Sequence, residues 1–244
     1  MSFTRLVKFT LTSLVLSASL IAPLAHAAMI ELVTNGSLQG NIDNAGLPNG
    51  WLDSVSNASS PSTSDTMDET HNTGIAGFGF GATASPSPNG GTWVGIGRNF
   101  GVANESFYQL VSGFEAGKEY TISWYDANFG IDHTYPSGTE VVYTGTNQVL
   151  ATLKNGSSIF SFTGSSRALG EDWFLNSFTF TPTLDNYTLS FSINNPTKSY
   201  LSIDGISITT EVAAIPEPST WGFLILGLLM ISFEIRRRSL IKVN

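Results

Sequence analysis

Tyr187, Leu189, Phe191 and Ile193 alternate without a break with Thr188, Ser190, Ser192 and Asn194. In an extended chain a period of two sends every apolar side chain to one face and every polar one to the other. Tyr120, Ile122 and Trp124 alternate with Thr121 and Ser123 in the same way, as do Phe178 and Phe180 with Ser177, Thr179 and Thr181. Further strands are expected over 29–33, 92–96, 106–111, 140–143, 148–153, 158–162 and 200–209. Turn signals separate them, among them Asn35-Gly36, Glu115-Ala116-Gly117-Lys118 and Lys154-Asn155-Gly156. No stretch between 28 and 214 repeats with a helical period. Many short strands, each with one face on a core and one toward water, predict an all-β fold: an antiparallel two-sheet sandwich.

One strand breaks its own rule. Leu201 and Ile203 share a parity, and Ile206 and Ile208 have the opposite one. The change falls on Asp204-Gly205, where a bulge is expected. Two segments look unlike a sandwich. Residues 54–73 form a polar Ser/Thr/Asn/Asp run read as a long loop, and 74–101 is glycine-dense, with Phe78 and Phe80 set among glycines.

The ends of the chain are of a different kind. Arg5 and Lys8 precede an apolar run from Leu11 to Leu24, and Ala25-His26-Ala27 is an A-x-A cleavage site. Together they predict a signal peptide over 1–27 and a mature start at Ala28. At the other end stand Pro216-Glu217-Pro218, then an uncharged run from 221 to 233, then Arg236-Arg237-Arg238. A short transmembrane helix is expected over 221–235, with its arginines on the cytoplasmic side. The uncharged run gives only about 20 Å of helix against a hydrocarbon core of about 30 Å.

This order of elements resembles the PEP-CTERM sorting signal over 215–242. The resemblance implies recognition by an exosortase, a transient hold in the inner membrane, and removal of the tail near Pro216, Glu217 and Pro218. It further implies delivery to the cell envelope or extracellular matrix of a Gram-negative bacterium. An ordinary anchor that is never cut is the plainer reading.

The segment 28–214 is one domain's length of chain, and with no cysteine in the sequence it must be held by its core alone. Its basic residues are Arg98, Lys118, Lys154, Arg167 and Lys198, against seventeen acids. So acidic a surface repels phosphate backbones, which excludes nucleic acid as a partner.

With the strands placed, this segment is similar to carbohydrate-binding jelly rolls of the galactose-binding-like type. The similarity rests on Asn35-Gly36-Ser37-Leu38, Leu47-Pro48-Asn49-Gly50-Trp51, the pair around Phe107–Val111 and Ala116–Trp124, and the closing Tyr200–Ile208. It implies a jelly-roll β-sandwich and an extracellular polysaccharide as partner. Some such modules hold a structural calcium between a carboxylate near the opening motif and an aspartate of the last strand. Here Gln39 stands where an acid is expected. A calcium site at Asp204, helped by Glu31 or Asp43, is one reading; a bulge aspartate satisfying backbone amides is the other.

Sugar recognition commonly lays an aromatic ring on a pyranose face and sets amides or acids around it. The candidates are Trp51, Tyr125, Tyr135 and Trp173, while Trp124 is in phase with the core. Chemistry has little to work with. Only His71 and His133 remain after His26 leaves with the signal, and no G-x-S-x-G occurs. Asp65, Asp68, Glu69 and His71 read as a solvated acidic patch. The sequence therefore predicts a non-catalytic protein. Its alternative is a secreted glycoside hydrolase-like enzyme with an unrecognised carboxylate pair, to which Glu171-Asp172 could give one member.

Overall fold

A computed structural model describes residues 29–43, 46–53, 64–71, 79–98, 105–134, 136–211, 222 and 224–233. In chain order the strands are β1 (Met29–Glu31), β2 (Leu52–Asp53), β3 (Asp65–Met67), β4 (Trp93–Arg98), β5 (Ser106–Ser112), β6 (Tyr120–Asn128) and β7 (Ile131–Thr134). There follow β8 (Glu140–Tyr143), β9 (Val149–Asn155), β10 (Ser158–Thr163), β11 (Glu171–Phe180), β12 (Asn186–Ile193) and β13 (Ser199–Glu211). Sheet A has the order β11-β6-β13-β4-β3, with β1 also on β13, and sheet B the order β10-β9-β12-β5-β2. Strands β7 and β8 form a separate hairpin. Every registered pairing is antiparallel, as for β12 against both β5 and β9. From β4 to β6, and again from β10 to β13, the chain changes sheet at each step. This is the expected all-β two-sheet sandwich.

The alternating patterns put their apolar halves between the sheets. Tyr187, Leu189, Phe191 and Ile193 of β12 are buried with Tyr120, Ile122 and Trp124 of β6. The Trp124 and Phe191 rings meet edge to face with centroids 5.6 Å apart, which ties sheet A to sheet B. The expected bulge is present: β13 shifts register against β6 between Asp204 and Ser207. Gly205 has φ 60°, and a Cβ there would collide with the side chain of Asn89, so only glycine fits this position.

Three expectations are corrected. The polar run 54–73 is not all loop, because β3 lies within it with Asp65, Thr66 and Met67 buried. Segment 130–138, where no strand was expected, contains β7, which carries His133. The outer face of sheet A does not look toward water along its whole width. Met67, Trp93, Ala127, Phe129, Ile131 and Tyr200 form a second core there, closed over by Phe80, Ala84, Val141, Tyr143 and Trp173. Gly95 makes room for it, since a Cβ there would strike Tyr200 and Met67.

The signal peptide 1–27, with its cleavage residues Ala25 and Ala27, lies outside the described residues. So do Pro216, Glu217, Pro218 and Arg236–Arg238. Residues 224–233 are helical, and Leu224, Ile225, Leu226, Leu228, Leu229, Met230, Ile231 and Phe233 are all exposed. Among the described residues no helix is long and apolar enough to cross a membrane.

Candidate functional site

The outward halves of the sheet B strands build an open groove. On β12, Thr188 and Ser190 point away from the core that Leu189 fills. Antiparallel register sets Leu110 of β5 on one side of Thr188 and Lys154 of β9 on the other. The next row brings Tyr108, Ser190 and Thr152 side by side. The groove has a volume of about 450 Å³ and is lined by Leu110, Thr152, Lys154, Asn155, Gly156, Asn186, Thr188 and Ser190. One end is walled by an amide clamp, in which Asn155 Nδ2 donates to the Asn186 carbonyl at 3.0 Å and to its Oδ1 at 2.9 Å. Gly156, with φ 57°, turns the β9–β10 hairpin beside it. The lining therefore offers hydroxyls, amides, one ammonium and the exposed side chain of Leu110, and no carboxylate. Such a surface can bond the hydroxyls of a sugar and cover an apolar ring face.

The aromatic candidates lie elsewhere. Trp51 is buried, with its ring 5.1 Å from Phe107 and its Nε1 donating to the Asn35 carbonyl, so it has no face to offer a sugar. Trp173 belongs to the second core, edge to face with Trp93 at 5.2 Å and bonded through Nε1 to the Ser85 carbonyl. Tyr125 is half-buried on sheet A, opposite Leu175 and Asp204. Tyr135 is outside the described residues. Of the three described, Trp51, Tyr125 and Trp173, none lines the groove. Of the residues that do, Thr188 and Ser190 were visible as the water-facing half of an alternation, and Lys154, Asn155 and Gly156 as a turn signal.

The proposed calcium ligands are not brought together either. Among the described residues no group of three or more His, Cys, Asp or Glu is placed to hold a metal. Glu31 accepts from the backbone N–H groups of Val33 and Ile208 and from Ser207 Oγ. Asp43 pairs through its backbone with Thr66. Asp204 is fully buried and accepts from Ser87 Oγ. Gln39 is engaged as well. Its Nε2 donates to the carbonyls of Ser37 at 2.6 Å and Gly90 at 2.8 Å, with that of Thr92 at 3.4 Å. Carbonyls that could have turned to a cation are thus tied by an amide.

The other carboxylates hold structure. Asp65, read as part of a solvated patch, is buried and takes the Tyr200 hydroxyl at 2.5 Å. Asp68 accepts from Thr70 and from the backbone N–H of His71, closing a tight turn. Glu105 accepts from the Gly97 N–H, and burial, with the charge of Asp65 nearby, pushes its carboxyl up to about 8. Asp126 sits at the inner margin of the sandwich, where Trp124 Nε1 and Asn176 Nδ2 donate to it at 3.1 and 2.8 Å. Burial raises it to about 7 against the pull of those bonds and of Arg167. Glu171 and Asp172 are exposed, and bond Ala168 N–H and Ser85 Oγ respectively. None of these acids lines the groove.

No protein-family model matches the sequence. No curated protein matches it. Among solved structures, carbohydrate-binding modules recur. A CBM61 module in complex with β-1,4-galactotriose is 10% identical at a TM-score of 0.44, covering 72% of this chain and 96% of its own. The CBM22-1 xylan-binding domain of Paenibacillus barcinonensis Xyn10C is 11% identical at a TM-score of 0.41, covering 78% and 100%. The enzymatically active domain of Bacteriophage CBA120 tailspike protein 4 is 12% identical at 0.43, over 75% of this chain. The chain spans only 22% of that tailspike's length.

Proposed function

We propose that this chain is an exported, non-catalytic protein of the envelope or extracellular matrix that holds polysaccharide in the groove on the outer face of sheet B. The groove itself carries the reading. Its hydroxyls on Thr152, Thr188 and Ser190 make no side-chain hydrogen bond within the described residues, so they are free for a ligand. Leu110, 68% exposed, offers an apolar surface beside them. Sorting is the second half of the proposal. The tail would sit briefly in the inner membrane of a Gram-negative host, and an exosortase would cut it near Pro216–Pro218. The all-round exposure of the apolar side chains over 224–233 supports a lipid partner for that helix.

Thr188→Trp tests the groove, because it plants a large ring across the floor and leaves the inward face of β12 untouched. The full chain in mild detergent should bind at least one polymer in a screen of neutral and acidic polysaccharides. The variant should lose about tenfold or more in affinity. Binding that survives the substitution puts the glycan elsewhere. Sorting is tested by the intact mass of protein recovered from the envelope of an exosortase-bearing host. Loss of residues 1–27 and of Arg236–Arg238 is expected, and retained arginines would leave a plain anchor.

A further inference from the structure

We propose that the polymer taken by this groove is acidic, a polysaccharide bearing carboxylates that docks on the ammonium of Lys154. The proposal rests on the groove being the glycan site. Its basis is how the body distributes its few cations. Arg98 donates to the Ile193 carbonyl, Lys118 pairs with Glu115, Arg167 faces Asp126 and Glu171, and Lys198 lies over the Tyr143 ring. Lys154 is the remaining basic residue of the five, and among the described residues it has no ion pair and no side-chain hydrogen bond.

Its surroundings are just as selective. Its cross-strand neighbours are Thr188 and Ile159, both uncharged, and among the described residues no acid lines the groove although the body carries seventeen. The nearest acid in sequence to the lining, Asp185, is turned to its neighbour Asn186, whose Nδ2 donates to it at 2.6 Å. A polyanion meets repulsion over most of such a surface, and a groove whose only charge is positive gives it one place and one register to bind. Hydroxyls on Thr152, Thr188 and Ser190 then serve the neutral part of each sugar, and Lys154 its carboxylate.

The test uses the full chain in mild detergent, titrated with polygalacturonate and alginate, and with the same polymers after their carboxyls are reduced to primary alcohols. At least one acidic form should bind about tenfold more tightly than its reduced counterpart, and weaken between about 50 and 500 mM salt. Lys154→Gln should cost about tenfold on the acidic form and nothing on the reduced one, while Lys154→Arg keeps the preference. Equal affinity for both forms, indifference to Lys154→Gln, or no binding of either polyuronate overturns the proposal. If both forms bind equally and Thr188→Trp abolishes both, the groove reading stands without its acidic preference. If binding persists in Thr188→Trp, the groove reading falls as well.

Discussion

Gln39 carries a structural duty out of proportion to its exposed position. Its amide nitrogen has two hydrogens and faces three carbonyls, those of Ser37, Gly90 and Thr92, so it fastens the opening turn to the segment that precedes β4. Asn35 repeats the device, donating from Nδ2 to the carbonyls of Gln39 and Asn49. A carboxylate at position 39 would remove the donor and place negative charge against the same oxygens. Gln39→Glu should therefore destabilise the body by about 0.5–1.5 kcal/mol, read as a lower urea midpoint in a chelating buffer. An unchanged midpoint would mean that solvent already serves those carbonyls. In the sequence the residue was legible only as a departure from an acidic expectation. What it does instead depends on Gly90 and Thr92, more than fifty positions away.

At the level of strands, legibility followed the range of the information. Strand β12 announced itself because its alternation is local and complete, and the bulge at Asp204-Gly205 because a parity change needs only one strand to be seen. Strand β3 was hidden by its composition. Asp65 and Thr66 read as solvated, and their burial follows from contact with β4 and with the Tyr200 hydroxyl. The second core was hidden for a related reason. Trp93-Val94-Gly95-Ile96-Gly97 is apolar on one face, while on the other it alternates a tryptophan with glycines that leave space for Tyr200. An open position in sequence is here an occupied one in space. The groove was half legible. Thr188 and Ser190 could be assigned outward, but their companions Leu110 and Lys154 come from strands whose registers only the fold supplies. Of the tryptophans expected as sugar platforms, Trp51 is buried and Trp173 is half-buried against the second core, away from the groove.

The body as a whole should prefer mild acid. Burial lifts Glu105 to about 8 and both Asp126 and Asp204 to about 7, well above the ordinary carboxylate range. Each group binds its proton more tightly folded than unfolded. Their contribution to stability is therefore full below about pH 4 and is lost as pH climbs through about 7 to 8. Asp68 works the other way, since hydrogen bonds from Thr70 and His71 outweigh its burial and hold it low, but that loss begins only below about pH 4. The melting temperature should be higher at pH 5 than at pH 8.5, and Asp204→Asn should narrow the difference. A flat profile would show these carboxyls to be hydrated. The topology has a mechanical consequence too. The chain leaves the body from β13, the middle strand of sheet A, gripped by β6 along one side and by β4 and β1 along the other. Ladder hydrogen bonds of antiparallel neighbours run across the strand, so a pull along β13 loads many of them at once in shear instead of peeling them singly. A body pulled from the C-terminal end of β13 against a polymer held in its groove would resist drag as a rivet does, yielding late and all together.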